Sequence, residues 1–314
     1  LRRVNTNGLT ICYKNRLVYL SKQDKIEHMN QIDFFPQVEK QTASPILKWA
    51  GGKSALLSQF TRYFPNAECY ERYFEPFVGG AAVFFHLQPP QSFLFDLNIH
   101  LIEVYTIIRE QVDDLIEALR VHFNDRDYFY WVRAQNPMDL SPVQRAARFI
   151  FLNRTCYNGL YRVNRQDQFN VPFGKYKNPL ICDEAGLRTV SAALQNTHLQ
   201  VADFEIVLKL AKPHDLIYFD PPYEPLSRTS SFTSYTSSGF TQFDQSRLAE
   251  TYQILNERGC LLMLSNSSAP LIYELYQNFH IHEISARRAI NSNPNGRGII
   301  RELLVTNFPP SIIK

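Results

Sequence analysis

The run Leu216-Ile217-Tyr218-Phe219 passes without a spacer into Asp220-Pro221-Pro222-Tyr223, and that junction constrains the fold more than any other stretch of the chain. Four apolar residues in a row read as a strand buried on both faces. Two consecutive prolines donate no N–H and fix φ, so the chain must leave the strand end as a rigid elbow. That elbow carries a carboxylate, a carbonyl outside the ladder and an aromatic ring. A carboxylate and a backbone carbonyl can each accept one hydrogen of an exocyclic NH2 while a tyrosine ring stacks on the attached heterocycle, which suits holding a planar amine for alkylation. An ordinary Pro-Pro turn is the plain alternative.

Around this junction the pattern is α/β. Tyr70 to Phe74, Phe93 to Phe95 and Cys260 to Leu264 read as buried strands, and helical periodicity covers Asn98 to Arg120. Ser141-Pro142 opens a helix through about Asn153, and Thr241-x-x-Asp244 reads as a capping box for a helix ending at Gly259. Two strand-like segments close the chain, Ile281 to Ile290 and Ile299 to Val305, separated by a hairpin loop over Asn291 to Gly298. The expected fold is a mostly parallel sheet with one antiparallel edge. Residues 1–44 lack sustained periodicity and read as an extension.

With 314 residues, 45% of them hydrophobic and 20% charged, the chain can form one large α/β domain with an inserted module. No apolar stretch approaches bilayer-spanning length. The cysteines, Cys12, Cys69, Cys156, Cys182 and Cys260, are five in number, scattered and never in C-x-x-C spacing, so reduced thiols, a cytoplasmic location and no zinc or other metal are expected. A net charge of +3 is too mild to identify a nucleic-acid binder, so local charge must carry that argument.

Phe74-Glu75-Pro76-Phe77-Val78-Gly79-Gly80 sits between a strand and a helical stretch, where Gly79 and Gly80 let a ligand approach the backbone. Asp96 ends the next strand at the position from which an acid accepts ribose hydroxyls in dinucleotide-type folds. The full G-x-G-x-x-G fingerprint is missing, which argues against NAD and favours a nucleoside cofactor without a pyrophosphate; S-adenosyl-L-methionine fits. Tight βα packing is the bland reading of the same glycines. Gly51-Gly52-Lys53-Ser54 resembles the end of a Walker A loop, yet Leu47 stands where that pattern requires glycine.

Between Arg154 and Asn178, Arg154, Arg162, Arg165, Lys175 and Lys177 face a single acid, Asp167, with Tyr157, Tyr161, Phe169, Phe173 and Tyr176 interleaved. Basic groups take phosphates and aromatics wedge or stack among bases, although a solvated basic loop has the same composition.

In their order along the chain, Leu47-Lys48-Trp49-Ala50-Gly51-Gly52-Lys53, Leu152-Asn153-Arg154, Tyr157-Asn158-Gly159-Leu160, Phe169-Asn170-Val171-Pro172-Phe173-Gly174 and Asp220-Pro221-Pro222-Tyr223 resemble the Dam class of DNA adenine methyltransferases, from about Leu47 to Asn307. The resemblance implies a class I S-adenosylmethionine-dependent, Rossmann-like α/β fold with an antiparallel terminal strand. It implies a catalytic domain over 45–97 and 180–310, and over 98–179 an inserted, mainly helical target-recognition domain containing a hairpin loop. Trp49, Lys53, Asp96 and Asp220 would contact the cofactor, with Phe77, Gly79 and Gly80 beside its methionine part and Asp203 by its adenine.

For sequence choice the resemblance implies GATC. Lys48 would contact the first guanine, and Arg162 the guanine opposite the last cytosine. Tyr157 would wedge into the duplex, Asn158 would face the gap left by a flipped adenine, and Leu160 and Pro172 would meet thymine methyls; Arg154 joins them as a basic DNA contact. Asp220 and the Pro221 carbonyl, shaped by Pro222, would take the amine of an adenine stacked on Tyr223, helped by an aromatic of the Ser227 to Phe240 segment. Expected partners are double-stranded DNA and a cognate restriction endonuclease reading the same site without forming a complex, with no membrane and a monomeric state. Alternatives are methylation of RNA or of a protein amide through the same elbow, or a non-catalytic DNA-binding module.

Overall fold

The computed structural model describes residues 9–13, 16–20, 42–226, 239–287 and 299–309. The chain divides into two compact units, Leu1–Gln41 and Thr42–Lys314. The first contains an antiparallel pair, β1 (Leu9–Tyr13) and β2 (Arg16–Leu20). The expectation of an unpatterned extension missed it, although two β-prone runs separated by two residues are a hairpin signature.

The second unit is built on a seven-stranded sheet of β3 (Tyr73–Glu75), β4 (Ser92–Asp96), β5 (Thr197–Val201), β6 (Leu216–Phe219), β7 (Leu261–Ser267), β8 (His280–Arg287) and β9 (Ile299–Thr306), in the order β5-β4-β3-β6-β7-β9-β8. The first five in that order are parallel, and β9 runs antiparallel between β7 and β8. The antiparallel strand is therefore last in sequence but internal in the sheet, and β8 forms the edge. Strand periodicity reads the same for either order, which is why the sequence expectation put it at the edge. The hairpin loop over Asn291 to Gly298 lies outside the described residues.

The period-two alternation of the strands divides the core. Tyr73, Leu94, Leu216, Tyr218, Met263 and Leu304 pack on one side with residues of α2 (Ala82–Leu87), α3 (Ile99–Glu110), α4 (Val112–Arg120) and α7 (Glu184–Leu194). Phe74, Phe95, Ile217, Phe219, Leu262, Leu264, Leu303 and Val305 pack on the other with α8 (Ile206–Leu210), α9 (Gln242–Glu257) and α10 (Pro270–Leu275). The remaining helices are α1 (Leu57–Phe60), α5 (Arg126–Ala134) and α6 (Pro142–Thr155). A small separate core of Phe129, Val132, Phe151, Leu152, Cys156, Phe169 and Val171 joins α5 and α6 to the loop that follows.

Both capping motifs form: Ser141 and Gln144 cap α6 reciprocally, as do Thr241 and Asp244 at α9. Two boundaries differ from expectation. The strand expected from Tyr70 begins at Tyr73, because Glu71 donates to the His214 carbonyl and Arg72 pairs with Asp215 at the sheet rim. The long helix over Asn98 to Arg120 breaks at Gln111, whose φ of −140° ends α3 and starts α4; Asp113 and Asp114 then lie where the new N-terminus favours acids.

Candidate active site

The buried strand β6 delivers Asp220 to the carboxyl end of the parallel strands, where α/β sheets bind ligands. Lys53, only 4% exposed, places Nζ 2.6 Å from Asp220 Oδ1 and donates to the Gly51 carbonyl at 2.6 Å. Ser265, on the neighbouring β7, donates to the same Oδ1 at 2.8 Å, and its hydroxyl lies 2.8 Å from that of Tyr218. Oδ1 thus has two donors, whereas none of the described residues donates to Oδ2. Glu75, at the end of β3, accepts from the Tyr73 hydroxyl at 2.8 Å; burial, reinforced by the Asp220 charge, pushes its carboxyl up to about 8.

The elbow after Asp220 is fixed from behind. Gln245 donates to the Pro222 carbonyl at 3.1 Å and accepts from Asn266 at 3.1 Å, while Asn266 accepts from the Glu224 N–H at 3.0 Å. Ser267 donates to the Glu224 carbonyl at 2.6 Å. Among the described residues nothing donates to the Pro221 carbonyl. Tyr223 donates to Glu302 at 2.6 Å, and its ring centroid lies 4.8 Å from Lys53 Nζ. Burial, with Asp220 and Glu302 adding to it, raises the Tyr223 hydroxyl well above its ordinary pKa and keeps it a donor.

The turn after β3 forms a second group. Gly79 adopts φ +44°, donates to Asp96 Oδ2 at 3.1 Å and accepts from the Tyr105 hydroxyl at 2.8 Å. A Cβ here would lie 2.8 Å from Trp49 Cδ1, so both conformation and space require glycine. Asp96 also accepts from the Asn98 N–H at 2.9 Å, and burial raises its pKa. Phe77 stacks on Phe204 with centroids 5.6 Å apart, and Phe240 packs against both. The segment 227–238 lies outside the described residues; Phe240, at its end, joins Phe77 rather than Tyr223. Asp96 and the rings of Trp49, Phe77, Phe204 and Phe240 surround this turn, and Lys53 is already paired with Asp220. That donor set fits a nucleoside with a cationic tail, as in S-adenosylmethionine, better than a polyphosphate.

The basic loop is anchored to the same centre. Asn153 accepts from the Lys48 N–H at 2.9 Å and donates to the Lys48 and Gly159 carbonyls at 2.7 and 3.1 Å. Gly159 has φ +63°, and a Cβ would collide with the Lys48 side chain. Lys48 Nζ lies 3.8 Å from the Tyr176 ring centroid. Tyr161 stacks on Trp49 at 5.7 Å and on Phe149 at 4.9 Å. Isolated bridges Cys156–Phe173 and Val163–Phe169 fold the loop back on itself, and Arg162, exposed, donates to the Asn170 side chain at 2.6 Å. Tyr157, Asn158 and Pro172 are exposed and adjoin, the Tyr157 N–H donating to the Pro172 carbonyl at 2.8 Å, while Leu160 is half-buried. Arg154 is also half-buried; burial lowers its pKa, and its Nε has no partner among the described residues.

A family model for D12 class N6 adenine-specific DNA methyltransferases matches residues 49–290. The chain belongs to that family. The D12 methyltransferase is 43% identical over 280 residues to the type II methyltransferase M1.LlaDCHI of Lactococcus lactis subsp. cremoris, covering 87% of this chain and 98% of that protein. Against the type II methyltransferase M.MjaIII of Methanocaldococcus jannaschii it is 45% identical over 286 residues, covering 84% and 99%. Against the DNA adenine methylase of Escherichia coli K12 it is 37% identical over 271 residues, covering 85% and 96%. The enzyme is an adenine-specific DNA methyltransferase for which the family implies S-adenosylmethionine as methyl donor, which sets aside RNA, protein-amide and non-catalytic readings. No helix among the described residues is long and apolar enough to cross a membrane.

Sequence reasoning missed Glu75, Ser265, Asn266, Gln245, Glu302 and Phe204. Only Glu75, next to Pro76-Phe77, had a local signal. Phe204 sits in the turn after β5 beside Asp203, and the others lie on β7, α9 and β9, distant in sequence, and acquire meaning only when the sheet assembles.

Proposed function

We propose that this D12 methyltransferase methylates the exocyclic amine of a flipped adenine in duplex DNA, within GATC, on a class I methyltransferase fold. Residues 45–97 and 180–310 would form its catalytic domain, 98–179 its target-recognition domain and 1–44 an extension, in a monomeric cytoplasmic enzyme. The observation that carries the catalytic reading is the lopsided pairing of Asp220: Oδ1 holds Lys53 and Ser265, and Oδ2 is left for a substrate hydrogen.

S-adenosylmethionine supplies an electrophilic methyl group on a positively charged sulfur. Asp96 would accept its ribose hydroxyls and Asp203 its adenine amine, Phe77, Gly79 and Gly80 would lie beside its methionine part, and Trp49, Lys53 and Asp220 would also contact it. Asp220 Oδ2 and the Pro221 carbonyl each accept one hydrogen of the target amine, which directs the nitrogen lone pair out of the adenine plane toward the donor. The Tyr223 ring, held through Glu302, stacks on the base, and Pro222 keeps the elbow rigid. Once the C–N bond forms, the surplus amine proton leaves to Asp220 or water. Removing adenine from the stack is what brings its amine within reach of a cleft.

Recognition falls to Lys48 at the first guanine and Arg162 at the guanine opposite the last cytosine, with Leu160 and Pro172 on thymine methyls. Tyr157 enters the duplex, Asn158 faces the vacated position and Arg154 adds charge toward the backbone. A restriction endonuclease reading the same site is the expected functional counterpart, without a physical complex. The catalytic reading is tested by Asp220→Ala, which abolishes turnover and leaves DNA affinity in place; full activity in that variant contradicts it.

A further inference from the structure

We propose that Arg247 is a positioning residue that builds the adenine side of the cofactor site, so that cofactor affinity rather than the chemical step depends on it. The proposal rests on the reading above that Asp203 receives the adenine of S-adenosylmethionine, and the stacking of Phe77 on Phe204 joins the Phe77 wall to that side of the site. After β5 the chain turns through Asp203-Phe204-Glu205 into α8, so that two carboxylates flank the buried Phe204 in sequence and converge on one cation. Their mutual repulsion favours swinging apart into water. Arg247, in the second turn of α9, opposes that with all three guanidinium nitrogens. Nη2 lies 3.1 Å from both Asp203 Oδ1 and Glu205 Oε1, Nε donates to Glu205 at 3.1 Å, and Nη1 lies 3.0 Å from Asp244 Oδ1. The guanidinium carbon also sits 4.9 Å from the Phe204 ring centroid, and Phe204 stacks on Phe77.

One planar fork thus ties the turn after β5 to the first turns of α9 and covers the ring that forms the wall, which a flexible ammonium cannot reproduce. It also sorts the oxygens of Asp203. Oδ1 takes Arg247 and the Glu205 N–H at 3.0 Å, whereas Oδ2 receives no donor from the described residues and stays open to an exocyclic amine.

The test is calorimetric binding of S-adenosylmethionine to the full-length enzyme without DNA, for wild type, Arg247→Ala, Arg247→Lys and Phe77→Ala, with melting curves and steady-state kinetics alongside. Arg247→Ala should weaken cofactor binding about tenfold. Its KM for cofactor should rise, with kcat at saturation and KM for DNA within about twofold of wild type. Arg247→Lys should lie nearer the alanine variant than wild type. Unchanged cofactor affinity in Arg247→Ala, with Phe77→Ala weakened, overturns the role of Arg247 and leaves the pocket assignment standing; unchanged affinity in both overturns the pocket assignment as well. If Arg247→Ala does not fold, Arg247→Gln, which keeps the volume and loses the fork, decides by the same measurement.

Discussion

Lys53 holds Asp220 by one oxygen only: its ammonium is 2.6 Å from Oδ1, and Ser265 occupies the same atom. The lysine is buried and also lies 4.8 Å from the Tyr223 ring centroid, so a single cation orients both the acid and the aromatic face of the elbow. Lys53→Met should leave the Asp220 charge without its partner and free the carboxylate to rotate. Turnover should fall by about a hundredfold, since small displacements at a reacting centre cost about that much. Unfolding free energy should drop by about 3 kcal/mol, the low end for breaking a buried pair, because Asp220 is 19% exposed. Single-turnover kinetics and urea denaturation measure the two effects; wild-type values in both contradict the arrangement.

Glu302 reaches across from β9 to anchor the Tyr223 hydroxyl at 2.6 Å. Glu302→Ala should let the ring tilt and lower the single-turnover rate by about tenfold with cofactor affinity unchanged, while Glu302→Gln, which keeps an acceptor, should recover most of the loss. Equal rates for the alanine and glutamine variants would show that the anchor does not matter.

The site was legible in the sequence wherever a motif contains its own chemistry. Leu216 to Tyr223 announced strand, elbow and acid together, and Ser141-Pro142 and the Thr241–Asp244 pair marked two helix starts because caps are local exchanges of hydrogen bonds. Glu302, Arg247, Ser265 and Asn266 carried no such mark. Ser265, Asn266 and Glu302 meet their partners through strand order, with β9 inside the sheet rather than at its edge, and Arg247 reaches Asp203 and Glu205 only when α9 packs on that side of the sheet. The break at Gln111 was hidden because neither proline nor glycine marks it.

Glu75 gives the fold a pH dependence of definite sign. Its carboxyl titrates at about 8 in the folded protein against an ordinary 4.5, so between those values the folded state binds more protons than the unfolded chain. The stability it contributes is complete below 4.5 and is lost as pH rises through about 8. Melting temperature followed across that window should fall more steeply for wild type than for Glu75→Gln. Parallel curves would mean that Glu75 does not carry the effect.

Asn170 aims the exposed Arg162 guanidinium through two contacts, its side chain accepting from Nε at 2.6 Å and its carbonyl from Nη2 at 3.4 Å, with Nη1 left without a partner among the described residues. Asn170→Ala should loosen that aim and reduce discrimination at the last base pair of the site, with Arg162→Ala reducing it further, by about 1–3 kcal/mol in relative kcat/KM. Discrimination should be unchanged at the other positions. A uniform loss across all duplexes would instead assign Arg162 to the phosphate backbone.

The most direct test of the account is transfer of labelled methyl groups from S-adenosylmethionine to matched duplexes carrying GATC or each of its single-base variants. Transfer confined to GATC, with the label recovered on adenine N6, is the predicted result. Efficient transfer to adenine in a different sequence would contradict the assignment of Lys48 and Arg162 to the two guanines.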